Sequence, residues 1–290
     1  MRVAALTFAL ALCGCSPGQQ PASNVTASQA PAQTGSGYTL RSNVEGASLV
    51  RLAELARVTP APLEPNSYCN ERLVQPKTGA GKLASAKGWR IVQEEAFHRL
   101  QAVLIVRGYN QMTSGRCNSI DANIAFFEGT KLIGVLYPKG KDGIGISAME
   151  LTNDHLRVWS TDPMAQGQVD LNGSALTFDK ITGNDSVCNG KYRVPAIYGL
   201  RYSEARRALA TAGWAPQPHH DTVEGDYRTD DYRRRFPETD SCAGTGYAEC
   251  RFSLRAKDGA AWINIVTLGE DDDPYVSDYA TSCEPKRPEV

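Results

Sequence analysis

The sequence predicts an α+β fold, in which an antiparallel β-sandwich or barrel-like domain precedes a small strand–helix–strand–strand domain. Between residues 69 and 182, short apolar or alternating segments recur roughly every ten residues, separated by polar turns, as is typical of antiparallel sheets. No helical periodicity separates these segments, which disfavours a parallel sheet. A helical stripe of alanine and leucine follows near residue 205, between shorter strand-like segments.

The size and charge of the chain limit its class. Its 290 residues are enough for one or two domains, and its 31 basic and 32 acidic residues give a net charge of −1. Because no stripe of Lys and Arg concentrates positive charge, nucleic acid is not an expected partner. After the N-terminal segment, no apolar run reaches the ~18 residues of a membrane-spanning helix.

The N-terminal segment has the features of a secretory signal. Arg2 precedes an apolar run over residues 3–12, which ends in Leu12-Cys13-Gly14-Cys15. These four residues resemble a bacterial lipobox. The resemblance implies cleavage of a signal peptide at residues 1–14 and attachment of acyl chains such as palmitate to Cys15, which would anchor the protein to a membrane. An ordinary cleaved signal with an incidental cysteine is the alternative.

The residues after Cys15 predict the location and reach of the anchor. Ser16, rather than Asp, follows the cysteine, so we expect the outer membrane, on the side that faces the periplasm. Residues 16–38 are rich in Gln, Ser, Ala, Pro and Thr without an apolar period, which is typical of disorder. We therefore interpret residues 15–45 as a lipidated cysteine and a disordered tether that spans about 25 Å.

Residues 47–57 place Leu49, Leu52 and Leu55 near helical spacing, which predicts a short amphipathic helix that Pro60 prevents from continuing. Strands are expected after it, joined by turns that contain Gly129, Asn153-Asp154 and Asn172-Gly173. The expected strands cover residues 89–92, 103–106, 122–127, 131–137, 144–149, 155–159, 169–171 and 175–178.

Six cysteines follow Cys15, an even number in a chain expected in an oxidising compartment, and they predict three disulfides. Metal ligation is the alternative, which the lack of a C-x-x-C spacing and the few histidines disfavour. Fifteen pairings are possible. We expect a bond that closes a short Gly-containing loop, a bond within the β domain, and a bond that joins the two ends of the C-terminal domain: Cys242–Cys250, Cys69–Cys117 and Cys188–Cys283.

The C-terminal domain is expected to open with a short extended segment and a helix. Ser203 is the predicted N-cap, and Gly213 lies where a left-handed C-cap belongs. One apolar stripe consists of Ala205, Ala208, Leu209 and Ala212. An edge strand over 214–216 and two strands over 251–255 and 261–268, around an Asp258-Gly259 turn, complete the predicted domain.

Residues 194–214 resemble the opening of a PASTA repeat, a module of bacterial cell-wall kinases and penicillin-binding proteins. The matching positions are Val194, Pro195, Gly199, Leu200, Glu204, Ala205, Leu209, Ala212 and Gly213. The resemblance implies a small α/β domain and a link to muropeptides and β-lactams, although a polar insertion and the Cys242–Cys250 loop depart from the family pattern. The expected domains are thus the signal (1–14), the tether (15–45), a helix plus antiparallel β domain (46–185) and a PASTA-like domain (186–290).

Candidate metal and catalytic groups are scarce. His219-His220-Asp221 and the acidic run 270–273 are better interpreted as surface polar residues than as metal ligands, because their spacing fits no known site. Residues 113–117 place hydroxyls beside Cys117, but a nucleophile motif is missing and the cysteine is expected in a disulfide. His98 and His155 stand alone in the sequence. We predict no catalytic set, metal or cofactor.

A cluster of tyrosines and arginines in the polar insertion is the predicted ligand surface. Arginine forks suit carboxylates and phosphates, and tyrosine rings suit sugars or cations. A helical turn packed on the sheet, with its charges in water, is the alternative. The cluster comprises Tyr227, Tyr232, Arg233, Arg234, Arg235 and Phe236.

These features together predict a lipid-anchored periplasmic protein that acts as a non-enzymatic binding or scaffolding module. The expected partner is peptidoglycan or an envelope protein. One alternative is an inhibitor of a secreted hydrolase such as lysozyme, which rests on analogy between disulfide-bonded β lipoproteins. The other is an envelope enzyme whose site is assembled from scattered residues.

Overall fold

The computed structural model describes residues 37–112, 116–219, 227–244 and 246–287. It confirms the predicted α+β class, with antiparallel sheets that do not close into a barrel. The strands of the N-terminal part are β1 (Thr39–Ser42), β2 (Ala47–Val50), β3 (Arg90–Phe97), β4 (Leu100–Val106), β5 (Gly108–Gln111), β6 (Cys117–Ile120), β7 (Asn123–Glu128), β8 (Lys131–Pro138), β9 (Ala148–Thr152), β10 (His155–Trp159), β11 (Ala165–Asn172) and β12 (Ala175–Asp179).

Ten of these strands form a sandwich. One sheet has the order β1-β12-β11-β10-β9 and the other β2-β8-β7-β4-β3, while β5 and β6 pair separately. Within the two sheets the neighbours are antiparallel except β1 and β12, which run parallel. Alternate residues of each strand point into the core between the sheets, which includes Phe97, Leu104, Ile124, Phe126, Leu136, Leu156, Val158, Val169, Leu176 and Phe178.

A glutamine side chain closes one seam of the sandwich, where β3 meets β9. Gln93 Nε2 donates to Met149 O over 2.6 Å, and Gln93 Oε1 accepts from Met149 N–H over 3.1 Å. The register between β3 and β4 shifts between Ile91 and Gln93, and this bulge is the feature that redirects the side chain. The Gln93 side-chain amide therefore makes the two backbone hydrogen bonds with Met149 of β9 that a neighbouring strand would otherwise make.

The outer face of the second sheet is covered by helix α1 (Gly79–Ala86), which follows a 3₁₀ helix at Tyr68–Arg72, and by the segment around Leu55, which precedes both helices. Thr78 caps α1 by accepting from Gly81 N–H over 3.0 Å. Trp89 Nε1 donates to Ala56 O over 2.9 Å and fastens the covering segment. The sequence did not predict α1, because its small residues lack a wide apolar stripe.

The predicted helix over residues 47–57 is wrong. Residues 47–50 form β2, which pairs with β8, and Ala47 and Leu49 are buried while Ser48 and Val50 are half-buried. Burial thus alternates along residues 47–50 with the period of two that is typical of a strand. Pairing with the edge of β8 outweighs the local preference of these residues for a helix. The predicted tether also extends too far, since Tyr38 is buried and β1 lies within residues 15–45.

The C-terminal part contains a second sheet region and two helices. Its sheet has the order β15-β17-β18-β19, with β16 also pairing with β17. The elements are β13 (Asp185–Val187), β14 (Tyr192–Val194), α2 (Tyr202–Thr211), β15 (Trp214–Pro216), α3 (Tyr227–Arg235), β16 (Thr239–Cys242), β17 (Cys250–Ala256), β18 (Trp262–Leu268) and β19 (Tyr275–Ser282). Its core contains Ile197, Tyr202, Leu209, Trp214, Phe252, Ile263 and Val276.

Helix α2 confirms the predicted stripe in part: Ala205 and Leu209 are fully buried and Ala208 is half-buried, whereas Ala212 is the exposed C-cap residue. Gly213 follows the helix with φ of +96°. The predicted N-cap is wrong: the cap position is Arg201, and Ser203 lies inside the first turn. Asp273 performs the capping from a distant loop, accepting from Ser203 N–H over 2.9 Å and from Ser203 Oγ over 2.6 Å.

Other expected elements are confirmed within small shifts. The hairpins around Gly129, Asn153 and Gly173 form as predicted, and all three residues have positive φ. The strand expected over 144–149 begins only at Ala148. The disulfides join the three predicted pairs, Cys69–Cys117, Cys188–Cys283 and Cys242–Cys250. The signal peptide and Cys15 lie outside the described residues.

The described residues form one unit, in which side-chain contacts such as Arg157–Asp185 and Tyr247–Asp162 join the sandwich to the C-terminal part. Among the residues described, no helix combines the length and apolar character needed to cross a membrane.

Candidate functional site

The predicted cluster of tyrosines and arginines folds into α3, whose residues have different environments. Tyr227 is 81% exposed, whereas Tyr232 is buried and its hydroxyl donates to Asp271 O. Arg233 donates to Thr239 O over 3.0 Å and to Asp240 O over 2.7 Å, so it fixes the following strand. Phe236 packs in the core below the helix.

The last two arginines of the cluster form ion pairs at the surface. Arg234 pairs with Asp231 one turn earlier in α3. Arg235 reaches the acidic loop at residues 270–273, where its Nη2 lies 3.1 Å from Asp272 Oδ2. The C-terminal half of α3 therefore carries both acidic and basic side chains, and Arg235 connects it to the acidic loop.

The acidic loop is held by contacts with residues of, or next to, helices α2 and α3. Asp271 Oδ2 lies 2.7 Å from Arg201 Nη1, Asp272 pairs with Arg235, and Asp273 caps α2. Arg201 also stacks over the Tyr275 ring, with 3.9 Å from its guanidinium carbon to the ring centroid. In the described ranges, no group of three or more His, Cys, Asp or Glu side chains is arranged to hold a metal ion.

Between α3 and this loop lies a cleft of about 250 Å³, which we call the α3 cleft. Two of its lining residues, Tyr232 and Arg235, belong to the predicted ligand surface. The others were not predicted, although the acidic run that supplies two of them was noted as a separate feature. The lining residues are Arg228, Asp231, Tyr232, Arg235, Glu270 and Asp272.

Arg228, which lines the α3 cleft, is held by three backbone carbonyls. It donates to Ala243 O over 3.3 Å, to Ala248 O over 3.1 Å and to Gly269 O over 2.9 Å. Its guanidinium carbon lies 5.7 Å from the centroid of the Tyr232 ring. A cation held this firmly loses little conformational entropy when an anionic group approaches it. The cleft thus brings together cations, carboxylates and an aromatic ring, groups whose chemistry suits a polar ligand bearing both charges.

A second polar cluster joins the sandwich to the C-terminal sheet, and we call it the Arg157 junction. Arg157 of β10 is 1% exposed and Asp185 of β13 is 5% exposed. Two hydrogen bonds join them, from Nη2 to Oδ1 over 2.9 Å and from Nη1 to Oδ2 over 3.1 Å. Tyr198 accepts from Arg157 Nη1 over 2.8 Å, and the Tyr279 hydroxyl donates to Asp185.

Burial and neighbouring charges shift the acid–base properties of the junction. Burial raises the pKa of Tyr198 and of Tyr279, so both hydroxyls stay protonated and Tyr279 serves as a donor. The hydrogen bonds to Asp185 raise the pKa of Arg157 despite its burial. Burial also raises the pKa of Asp278 on β19 to about 6, with further contributions from the carboxylates of Glu150 and Glu249.

The remaining candidate residues that the structure describes lie in separate places. His155 Nδ1 contacts the Asp170 carboxylate on the exposed face of the sandwich, and His98 Nε2 lies 3.0 Å from Asp154 O. His219 lies 3.4 Å from Asp240, while His220 and Asp221 are outside the described residues. Residues 113–115 are also outside them, and Cys117 is in a disulfide.

Comparison with known proteins adds no relative: no family model, curated protein or solved structure matches the chain.

Proposed function

We propose that this protein is a lipid-anchored envelope protein whose C-terminal part binds peptidoglycan or an envelope protein without catalysis. The single observation that carries the proposal is the α3 cleft, because Tyr232 and Arg235 of the surface predicted for a ligand line it and because its lining carries groups of both charges. Such a lining favours recognition of a charged polar ligand over transport of an apolar one.

The chemistry of the α3 cleft fits the peptide part of peptidoglycan, which carries carboxylates and free amines. Arg235, which now donates to the backbone carbonyl and pairs with the carboxylate of Asp272, offers a planar fork that a ligand carboxylate can take over, and the exposed Asp272 carboxylate can then pair with a ligand amine. Glu270 has no ion pair with any described residue, so its carboxylate is a further acceptor for an amine. The PASTA-like opening at residues 194–214 supports the same class of ligand by resemblance.

A different set of residues supports the proposed location of the protein. The lipobox-like sequence before Cys15 is the basis for the lipid anchor and for the envelope location. Three disulfides support an oxidising compartment, because bonds of this number are rare in reducing ones. The N-terminal sequence thus predicts the location of the protein, and the C-terminal part supplies the proposed binding surface.

Retention on purified sacculi tests the binding. We expect the protein from residue 15 onward to sediment with sacculi, and Arg235→Ala to sediment about tenfold less, since a charge-assisted contact contributes about 1.4 kcal/mol. Arg207→Ala is the matched control, because Arg207 is an exposed arginine of α2 outside the cleft. Retention no greater than that of denatured protein would remove peptidoglycan as the ligand and leave an envelope protein.

The anchor has its own test. Mass spectrometry of the N-terminal peptide should find an acylated Cys15 on protein recovered from membranes. An unmodified Cys15 thiol on protein recovered from the cytosol would overturn the envelope assignment, whatever the result with sacculi.

A further inference from the structure

The three disulfides that the structure describes differ in their access to solvent. In the Cys188–Cys283 bond, Cys283 is exposed and Cys188 is half-buried. The cysteines of the other two bonds are all buried, with exposed fractions of 9% or less: Cys69, Cys117, Cys242 and Cys250. Thiol–disulfide exchange requires that a thiolate reach a sulfur atom of the bond. The exposure of Cys283 therefore makes this bond the accessible one of the three.

The backbone at Cys188 has a conformation that residues with a side chain rarely adopt. In the turn between β13 and β14, Cys188 has φ of +54° and Asn189 has φ of +56°. Such a conformation persists where the surrounding contacts hold it, and the bond to Cys283 is one of these contacts. Breaking the disulfide allows the turn to relax, and exposed or strained disulfides are the ones that thiols reduce most readily.

The segment that begins at Cys283 crosses the C-terminal sheet, and we call residues 283–287 the C-terminal strap. Pro285 O accepts from Trp262 Nε1 of β18 over 3.1 Å and from Arg255 Nη2 of β17 over 3.2 Å. Trp262 and Arg255 lie opposite each other in the pairing of these strands, on the face away from the core. Trp262 is 7% exposed, so the strap covers an aromatic residue of this face.

An ion pair holds the far end of the C-terminal strap. Arg287 donates to the carboxylate of Asp240 on β16, whose side chain is 7% exposed. The Arg287 guanidinium carbon also lies 5.6 Å from the centroid of the Trp262 ring. The strap thus leaves β19 and contacts β18, β17 and β16, while residues 284–286 stay exposed. It is attached by polar contacts and by the disulfide at its first residue, and not by burial in the core.

We propose that Cys188–Cys283 is a site of thiol–disulfide exchange, and that its reduction by a dithiol releases the C-terminal strap from Trp262 and Asp240. A thiolate of the dithiol attacks the exposed Sγ of Cys283, and Cys188 leaves as a thiolate. The second thiolate of the dithiol then attacks its own sulfur in the mixed disulfide and expels Cys283. Two electrons pass to the protein, the dithiol becomes a disulfide, and the two protons that it loses end on the two cysteines.

Reduction frees the C-terminal strap at its first residue. In the oxidised protein, the bond holds Cys283 against the turn between β13 and β14, so attachment of the strap has to order only the residues that follow. In the reduced protein, attachment also has to fix the backbone of Cys283, and the ratio of attached to released strap should fall about tenfold. The Trp262 indole N–H then loses its acceptor, Pro285 O, and is exposed to water.

Stepwise reduction of the folded protein with dithiothreitol tests the exchange site. The protein from residue 15 onward carries Cys15→Ser, which removes an unrelated thiol, and mass spectrometry measures the alkylation of each cysteine. Cys188 and Cys283 should be alkylated at a dithiothreitol concentration about tenfold lower than the four buried cysteines, which serve as internal controls. With glutathione as a monothiol probe, the first adduct should form at Cys283.

Hydrogen exchange of the indole N–H groups tests the release of the strap. When Cys188–Cys283 alone is reduced, the Trp262 indole N–H should exchange about tenfold faster. The matched controls are the indole N–H groups of Trp89 and Trp214, which donate to other backbone carbonyls over 2.9 and 2.8 Å and should keep their rates. In the oxidised protein, Arg287→Ala should also speed the exchange of Trp262, because it removes the far attachment of the strap.

Three results would overturn the proposal. The first is reduction of Cys188–Cys283 together with or after the other disulfides, and the second is an unchanged Trp262 rate once this bond is reduced. The third is an equal rise for Trp214, which would mean that the C-terminal part unfolds as a whole. Cys188→Ser combined with Cys283→Ser should reproduce the reduced protein; if this variant does not fold, chemical reduction of the native protein decides the question. No ligand is needed, so the result is independent of the proposed function.

Discussion

Replacing Arg157 with Met should destabilise the protein more than replacing any exposed arginine. Methionine keeps most of the volume and removes the charge, so the carboxylate of Asp185 stays in a position that is only 5% exposed without its partner. The variant also loses two hydrogen bonds, of 2.9 and 3.1 Å, and the contact with Tyr198. Removal of one member of a buried ion pair costs about 3–5 kcal/mol.

Equilibrium unfolding in urea under non-reducing conditions measures this loss. The matched control is Arg234→Met, which removes an ion pair whose side chains are 73% and 64% exposed and should cost less than about 0.5 kcal/mol. Combining Arg157→Met with Asp185→Asn removes the unpaired charge. The double variant should therefore lose less unfolding free energy than the sum of the two single losses, by at least ~2 kcal/mol.

Two results would refute this reasoning. A loss below about 1 kcal/mol for Arg157→Met would mean that water or a local rearrangement solvates Asp185, and that the junction is not a dry ion pair. Additive losses in the double variant would show that Arg157 and Asp185 act independently, despite the two hydrogen bonds between them.

Three other predictions concern single contacts. Asp273→Ala should lower the stability of the protein by about 1 kcal/mol in thermal unfolding because it removes the cap of α2, and an unchanged melting temperature would argue against that role. Gly88→Ala should abolish soluble expression, since φ is +93° and the added Cβ would lie 2.0 Å from Val58 O; a normal yield would contradict this. Gln93→Leu should speed hydrogen exchange in β9, because the N–H and C=O of Met149 lose their partner at a cost of about 1–3 kcal/mol. Unchanged exchange would show that the Gln93 side chain does not hold β9 to β3.

The features that the sequence predicts correctly are those set by local chemistry. Turns at Gly129, Asn153 and Gly173 need residues that tolerate positive φ, so the hairpins are visible without tertiary information. The apolar stripe of α2 and the glycine that follows the end of the helix also depend on local sequence. The expected disulfide pairing is also confirmed, although the sequence alone allowed fifteen pairings and only suggested a bond closing a short loop and a bond joining the ends of a domain.

The errors occur where a distant segment decides the local structure. Residues 47–50 become a strand because β8 offers an edge, and that edge lies almost ninety residues further along the chain. Ser203 is not a cap because Asp273 occupies that role from the other end of the domain. In both cases the local pattern allowed two conformations, and a tertiary contact selected one of them.

The residues of the Arg157 junction illustrate the same limit for function. Arg157 lies on an alternating strand at a position that the sequence assigns to the solvent face, and only the packing of β13 and β19 buries it. The tyrosine and arginine cluster was recognisable by composition, but Arg228 and Asp231 gain their importance from the acidic loop that faces them.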